Sequence, residues 1–213
     1  MPIGVANGQA VIARTGRGNV QGTFQGGALA FKGIPYARAR RFMPPAEHEG
    51  WTGVRLTTEF GASAPQTNLN PPPGLPYVIL PQIPRPEGAP SLPPAPPEAE
   101  DCQFLNIWTS ALRDGGRRPV MVWLHGGFFY AGSGSTVDGS ALAARDEVVV
   151  VSLNHRLNAF GFTHLADHGE EFVHSGNAGM LDIVAALQWV REISRNSVAT
   201  LHASWCSERL AGG

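Results

Sequence analysis

Residues 119–127 read Pro-Val-Met-Val-Trp-Leu-His-Gly-Gly, and this stretch decides the fold class. An almost continuous apolar run such as 120–124 is typical of a strand that is buried on both faces of a mostly parallel sheet. The glycine pair that follows, Gly126 and Gly127, allows the backbone to turn sharply where the strand ends. The stretch therefore predicts a buried strand that leads directly into a loop with inward-pointing backbone N–H groups.

The regions around this strand have the pattern of an α/β protein. Residues 104–108 and 148–153 predict two further strands, and residues 139–145 predict a short helix. Residues 177–190 place apolar side chains at helical spacing, which predicts an amphipathic helix carrying Met180, Ile183, Val184, Leu187 and Val190. Alternation over residues 11–31 predicts an N-terminal β-meander. Strands alternating with helices indicate an α/β sheet with crossover helices.

A proline-rich segment separates the meander from the later strands. Twelve of the 18 prolines lie between Pro71 and Pro97. Proline lacks a backbone donor and fixes φ, so this segment is neither a helix nor a central strand. It is either a linker between two domains or a surface excursion within one domain.

Composition excludes several classes of function. The net charge is −1 and the pI is about 6.6, which gives no support to nucleic-acid binding. We find no apolar run long enough to cross a bilayer and no signal peptide at the start of the sequence. Two cysteines, Cys102 and Cys206, do not make a disulfide scaffold. We therefore expect a cytoplasmic protein with no cofactor and no metal site; its oligomeric state is not indicated.

The loop at His125–Phe129 is the candidate site for chemistry. Two or three backbone N–H groups aimed at one point form an oxyanion hole, which stabilises the negative charge that develops during acyl transfer. An ordinary glycine-rich turn after a strand is the alternative, and the loop alone does not decide between them.

Six blocks in order resemble the type B carboxylesterases, the family that includes cholinesterase-like and para-nitrobenzyl-esterase-like enzymes. The blocks are Phe31-Lys-Gly-Ile-Pro-Tyr-Ala37, Arg41-Phe-Met-Pro-Pro45, Glu100-Asp-Cys-Gln-Phe-Leu-Asn-Ile-Trp108, Val122-Trp-Leu-His-Gly-Gly127 with Gly132-Ser133, Asn154-His-Arg-Leu157 with Gly161-Phe162, and Gly176-Asn-Ala-Gly-Met-Leu-Asp182 with Ala186-Leu-Gln-Trp-Val190.

The resemblance implies that residues 1–190 are the N-terminal part of an α/β-hydrolase domain that hydrolyses small carboxylic esters through a serine nucleophile. The oxyanion donors would be the backbone N–H groups of Gly127 and Phe128, with Gly126 shaping the turn. Two structural ion pairs within the body of the fold would be Arg41 with Glu100, and Arg156 with Asp182.

Two departures from the family pattern concern single residues. Phe128 replaces the third glycine of the usual His-Gly-Gly-Gly-Phe; its N–H remains, and its side chain would narrow the pocket. Ala64 stands where the family often has the cysteine that pairs with Cys102, so we expect Cys102 to be a buried free thiol. By the resemblance, the proline-rich loop 67–99 would lie near the mouth of the active-site cleft, which favours the excursion over the linker.

The largest departure is the tail, residues 191–213. The family has Phe-Gly-Gly-Asp-Pro, an apolar strand and the nucleophile elbow Gly-x-Ser-x-Gly here, whereas this sequence has no Gly-x-Ser-x-Gly anywhere. The segment most similar to this motif is Gly61–Pro65 around Ser63, which lacks the second glycine. We expect Ser133 and Ser135 to bond locally, and Ser207 lies in a segment that matches nothing. The catalytic nucleophile, acid and base are therefore missing.

The genetic code suggests a cause. Read from the last base of the Glu192 codon, the permitted codons can give Asn-Ile-Ala-Gln-Phe-Gly-Gly-Asp-Pro-Ala-Arg-Val-Met-Val-Phe-Gly-Ala-Ser-Gly-Gly-Gly, which restores the block, the strand and the elbow. We hypothesise a single-base deletion near Glu192, which is either present in the gene or a sequencing error.

Three interpretations of function follow. The chain is an ester hydrolase by descent that is inactive as given, a catalytically dead cholinesterase-like binding or adhesion module, or a frameshifted product without independent function; the first and third are compatible. We also expect the strand at 148–153 to have either an unpaired edge or uncovered apolar faces. The chain should then have low solubility, or partial order with a disordered tail from about Arg191.

Overall fold

The computed structural model describes residues 10–66, 95–112, 117–196 and 204–206. Residues 67–94, which make up most of the proline-rich loop 67–99, lie outside the described residues. The two ends of the loop meet, because the N–H of Ser63 donates to the Pro97 carbonyl (3.0 Å) and the N–H of Ala99 donates to the Ser63 carbonyl (2.9 Å). The excursion interpretation of residues 67–94 stays a prediction.

One eight-stranded sheet organises the described part of the chain. Its order is β1-β2-β3-β7-β9-β8-β10, and β6 pairs with β2 beside this path. The strands are β1 (Ala10–Thr15), β2 (Gly18–Gln25), β3 (Ala28–Pro35), β6 (Val54–Leu56), β7 (Phe104–Thr109), β8 (Val120–Leu124), β9 (Val149–Leu153) and β10 (Ser204–Cys206), and a separate ribbon is formed by β4 (Ala37–Arg38) and β5 (Ala46–Glu47).

The N-terminal strands form the predicted meander. β1 pairs antiparallel with β2, and β2 pairs antiparallel with β3. The second hairpin turns at Gly26 and Gly27, whose φ values of 57° and 82° fit the left-handed turn that joins twisted strands. Strand β3 then pairs antiparallel with β7, which attaches the meander to the rest of the sheet.

The parallel part of the sheet begins at β9. Strand β8 pairs parallel with β9 and with β10, whereas β7 pairs antiparallel with β9. The predicted helix is α1 (Ser140–Asp146), and it makes the crossover from β8 to β9. The α/β class is thus confirmed. The expectation of an unpaired edge on β9 is wrong, because the crossover inserts β9 between β7 and β8.

The other two helices are α2 (Asn158–Phe162) and α3 (Ala178–Asn196). Helix α3 buries Ile183 and Val190 as predicted, but Met180 and Val184 are exposed. The reason is Asp182, whose carboxylate faces inward to pair with Arg156 and so turns residues two positions away to the opposite side. The buried apolar residues of this helix are Ala178, Ile183, Ala186, Trp189 and Val190.

Two segments of the tail have regular structure. Helix α3 continues through Arg191 to Asn196, and β10 pairs with Met121–Trp123 of β8. The expectation of disorder from Arg191 is therefore wrong for 191–196 and 204–206, since both segments find hydrogen-bond partners. Among the described residues, no helix is both long and apolar enough to cross a membrane.

Candidate functional site

The loop that follows β8, here named the glycine loop (His125–Gly132), turns through left-handed backbone. The φ values are 116° at Gly127, 54° at Phe128, 63° at Phe129 and 125° at Gly132. Gly126, to which the sequence assigned the turn, is not among the positive-φ residues. The turn is closed from within, because the N–H groups of Tyr130 (2.9 Å) and Ala131 (3.2 Å) both donate to the Gly127 carbonyl.

Glycine is required at both ends of this turn. A Cβ on Gly127 would overlap the carbonyl oxygen of Ala131, and a Cβ on Gly132 would overlap the His125 ring and the Gly126 carbonyl oxygen. Backbone therefore approaches backbone so closely that no other residue fits without a rearrangement of the loop.

Four consecutive backbone donors of the glycine loop are unused. No hydrogen bond among the described residues has the N–H of Gly126, Gly127, Phe128 or Phe129 as its donor. Consecutive free N–H groups in a left-handed turn are suited to bind an oxyanion. Strand β10 lies parallel to β8. The carboxyl ends of both strands therefore lie at the same end of the sheet, where this loop begins.

Three consecutive aromatic side chains stand beside these donors. Phe128, Phe129 and Tyr130 are 54%, 53% and 58% exposed. The Phe129 ring packs on Phe162, with the two ring centroids 4.9 Å apart. The loop thus presents an apolar surface next to its unused N–H groups, which is a combination that suits an apolar ligand with one polar oxygen.

A pair of stacked histidines supports the start of the loop. The His125 and His155 rings lie parallel, at 1°, with centroids 4.7 Å apart. Burial, and secondarily the neighbouring His125, lowers the pKa of His155 to about 4, so its ring is neutral near pH 7. The Nδ1 atom of His155 lies 2.9 Å from the Arg156 carbonyl oxygen.

The serines near the loop take part in a buried polar network. Ser63 Oγ donates to Ser133 Oγ (2.9 Å), which lies 2.9 Å from Ser135 Oγ and donates to Asn154 Oδ1 (3.2 Å). The prediction of local bonding for Ser133 and Ser135 is confirmed. Ser63 is likewise a buried structural hydroxyl, and Ser207 lies outside the described residues.

The two predicted ion pairs both form, but in different surroundings. Arg156 and Asp182 are buried in the body of the fold, with Nη2–Oδ1 and Nε–Oδ2 distances of 2.7 and 2.8 Å. The Arg156 guanidinium also donates to the carbonyls of Met43 and Ala178. Arg41 and Glu100 pair through Nε–Oε2 (2.8 Å) and a second contact, but both side chains are exposed. The expectation that this pair lies within the body is wrong: only the Phe160 ring of α2 lies against the Arg41 guanidinium (5.4 Å to the ring centroid) among the contacts of the described residues, and both side chains stay exposed.

Cys102 is a buried free thiol, as predicted. Burial raises the pKa of Cys102 to about 12, which keeps the thiol protonated and unreactive. Its apolar neighbours include Ala64 and Leu157. Ala64 thus occupies the place that the sequence assigned to a missing cysteine partner.

Sequence reasoning missed the residues that anchor the glycine loop from outside. The side-chain amide of Gln66 bonds both polar groups of Gly132, and the N–H of Asn158 donates to the Phe129 carbonyl (2.7 Å). The sequence carries no signal for these bonds, because the partners are 66 and 29 positions apart and belong to irregular backbone.

Comparison with known proteins identifies a family and several relatives. Residues 9–195 match the model of the carboxylesterase family. The chain is 41% identical to para-nitrobenzyl esterase of Bacillus subtilis (strain 168) over 187 residues, covering 85% of this chain and 34% of that protein. It is 40% identical to pyrethroid hydrolase Ces2a of Mus musculus over 192 residues, covering 85% and 32%.

A solved structure shows the same fold. The crystal structure of the Geobacillus stearothermophilus carboxylesterase EST55 superposes with a TM-score of 0.73 at 38% identity, covering 91% of this chain and 36% of that one. The chain spans about a third of the length of these relatives. With its family model matched from residue 9 to residue 195, the chain belongs to the carboxylesterase family.

Proposed function

We propose that the chain is the N-terminal part of a serine hydrolase of carboxylic esters, in which the N–H groups of Gly127 and Phe128 bind the oxyanion. The observation that carries the proposal is the run of unused donors from Gly126 to Phe129, which includes Gly127 and Phe128, in a turn with left-handed backbone. Gly126 leads into this turn. Loss of one such donor costs roughly 2.7–4 kcal/mol of transition-state stabilisation in serine hydrolases.

The serine, the histidine and the acid of the proposed mechanism are not among the 213 residues of this sequence. In the proposed mechanism a serine attacks the ester carbonyl and a histidine takes its proton. The histidine passes this proton to the alcohol that leaves, and water then hydrolyses the acyl-enzyme to the carboxylic acid and the free serine. His125 and His155 are not that base, because their stacked rings are engaged beneath the loop. The chain as given is therefore inactive.

The pairing of β10 supports the proposal that the nucleophile is encoded in the other reading frame. Each β10 residue pairs with the β8 residue 83 positions before it. In the shifted reading, Val-Met-Val falls at 204–206 and the elbow serine takes the place of Leu210, which is 83 positions after Gly127. If the register continued, that serine would emerge beside the oxyanion donors.

The substrate class follows from the loop and from the names of the relatives. One relative is a nitrobenzyl esterase and another a pyrethroid hydrolase. The exposed rings of Phe128, Phe129 and Tyr130 would pack against an aromatic alcohol or acid. We therefore propose small esters with an aromatic group as substrates. A reducing, cytoplasmic location belongs to the same proposal, because Ala64 leaves Cys102 without a disulfide partner.

Hydrolysis of para-nitrobenzyl and nitrophenyl esters tests the proposal. One base is inserted at codon 192, and the restored gene is expressed through to its own stop codon. We expect turnover by the restored protein, none by the 213-residue chain, and none by a restored protein with the elbow serine replaced by alanine. A folded restored protein without activity would contradict the proposal and favour a binding module.

A further inference from the structure

The glycine loop adopts a conformation that it does not favour by itself. Phe128 and Phe129 have φ values of 54° and 63°, and left-handed backbone costs a residue with a side chain roughly 1–2 kcal/mol. The two internal backbone hydrogen bonds of the loop join Tyr130 and Ala131 to the Gly127 carbonyl and leave Phe129 and Gly132 out. Contacts from outside the loop are therefore needed to fix Phe129 and Gly132.

Gln66 supplies the most complete of these contacts. Its Nε2 donates to the Gly132 carbonyl (2.7 Å), and its Oε1 accepts from the Gly132 N–H (2.9 Å). One planar amide thus satisfies both polar groups of one residue, as a neighbouring strand would. An ionised carboxylate of the same length could accept the N–H but could not donate to the carbonyl.

Gln66 is itself anchored to the rest of the fold. Its backbone N–H donates to Glu98 Oε2 (3.1 Å), and the neighbouring Pro65 carbonyl accepts from Asn158 Nδ2 (2.7 Å). Asn158 in turn donates its backbone N–H to the Phe129 carbonyl. Residues 65 and 66 are therefore connected to both Phe129 and Gly132.

We propose that Gln66 is a positioning residue, whose side-chain amide holds the glycine loop so that the N–H groups of Gly127 and Phe128 converge on the oxyanion. The catalytic meaning of this role rests on the function proposed above. The positioning itself is a property of the 213-residue chain and is measurable without turnover.

Amide hydrogen exchange of the full chain, followed by NMR, tests the inference. In Gln66→Ala we expect exchange at Gly132, Tyr130 and Ala131 to accelerate about tenfold or more, with β9 amides unchanged. The matched control is Gln25→Ala, whose amide contacts Lys32 far from the loop and which should leave Gly132 protected. Unchanged exchange at Gly132 in Gln66→Ala, or an equal acceleration in β9, would overturn the proposal.

Gln66→Glu provides a second test within one folded protein. At neutral pH the introduced carboxylate lacks the donor and lies near Glu98, so Gly132 should exchange faster than in the parent. Acidification through the pKa of the new carboxyl restores the donor, and the protection of Gly132, corrected for the intrinsic exchange rate, should return. Protection that is independent of pH would contradict the role of the donor.

The restored enzyme separates this inference from the proposed function. Gln66→Ala should lower kcat about tenfold with KM within about twofold, because the donors act on the transition state. An inactive restored parent would sink the proposed function while the exchange data still decide the role of Gln66. An unchanged kcat in Gln66→Ala would overturn the positioning role.

Discussion

Phe128 combines a strained backbone with a half-exposed side chain. Its φ of 54° favours glycine, but the ring is only 54% exposed, so its replacement relieves strain and also removes burial. We predict that these effects nearly cancel, so that Phe128→Gly changes the free energy of unfolding by less than about 1 kcal/mol in urea denaturation. Phe129→Gly is the matched control: it relieves a similar strain but also loses the contact with Phe162, so it should be the less stable variant. A more stable Phe129→Gly variant would contradict this account.

In the restored enzyme, the same Phe128→Gly change tests specificity. The Phe128 side chain adjoins one of the proposed oxyanion donors, so its removal should extend hydrolysis to esters with bulkier acids or alcohols. Relative kcat/KM values across an ester series measure this effect. An unchanged substrate range would show that Phe128 does not limit the pocket.

His155 makes the stability of the fold depend on pH. Its pKa is lowered from 6.5 to about 4 by burial and by His125. The unfolded chain therefore binds a proton between these values that the folded chain does not, so stability falls as pH drops from about 6.5 to 4, by about 3 kcal/mol. We predict that His155→Tyr removes this part of the pH dependence in denaturation curves recorded between pH 4 and 7. An unfolding free energy that depends on pH in the same way in the parent and in His155→Tyr would contradict this prediction.

At the residue scale, the sequence predicts what local chemistry determines. The need for glycine where β8 ends follows from residue type and position, whereas the free thiol at Cys102 and the local bonding of Ser133 follow from the resemblance to the family. The stack of His125 on His155 and the amide of Gln66 on Gly132 join residues that only the folded backbone brings together. Sequence spacing carries no information on such contacts.

At the scale of elements, the Arg156–Asp182 pair holds α3 against the segment that follows β9. Both side chains are buried, and the guanidinium is bonded on all sides by Asp182, Met43 and Ala178. We predict that Asp182→Asn destabilises the fold by about 3–5 kcal/mol in urea denaturation, because a buried cation loses its counter-charge. The control is Glu100→Gln at the exposed pair, which should leave the unfolding free energy unchanged. Equal effects of the two variants would be the contrary result.

The ends of the proline-rich segment offer a test of packing. Ala64 and Cys102 belong to one buried cluster. We predict that Ala64→Cys forms a disulfide with Cys102 when an oxidant is supplied, seen as a mass loss of about 2 Da and a mobility shift without reductant. Closure of a loop of about 40 residues should stabilise the fold by up to about 4 kcal/mol. The variant has three thiols, because Cys206 is also present, so one free thiol should remain after oxidation. Three free thiols would show that residues 64 and 102 are not placed to form a disulfide.

The sequence predicts the order of the strands and helices along the chain. It predicts the arrangement of the strands in the sheet only in part. The apolar runs at 120–124 and 148–153 predict β8 and β9, but a run of apolar residues does not say which strand is central. The exposed positions of Met180 and Val184 show a related limit. Helical spacing alone cannot place the inward face when a buried charge, Asp182, competes for it.

At the scale of the whole molecule, the main sheet of the described residues carries the glycine loop at the carboxyl end of β8. The chain spans about a third of the length of its relatives, and the family model matches it as far as residue 195. Strand β10, beyond that residue, still pairs parallel with β8. We propose that a shift of reading frame near Glu192 accounts for both observations.

The nucleotide sequence from codon 191 to codon 213 is the direct test of a shifted reading frame near Glu192. We predict that a single added base near codon 192 yields Phe-Gly-Gly-Asp-Pro, the strand Val-Met-Val-Phe and the elbow Gly-Ala-Ser-Gly-Gly without further change. Codons that cannot be read in this way would contradict the claim that the nucleophile is encoded in the other frame.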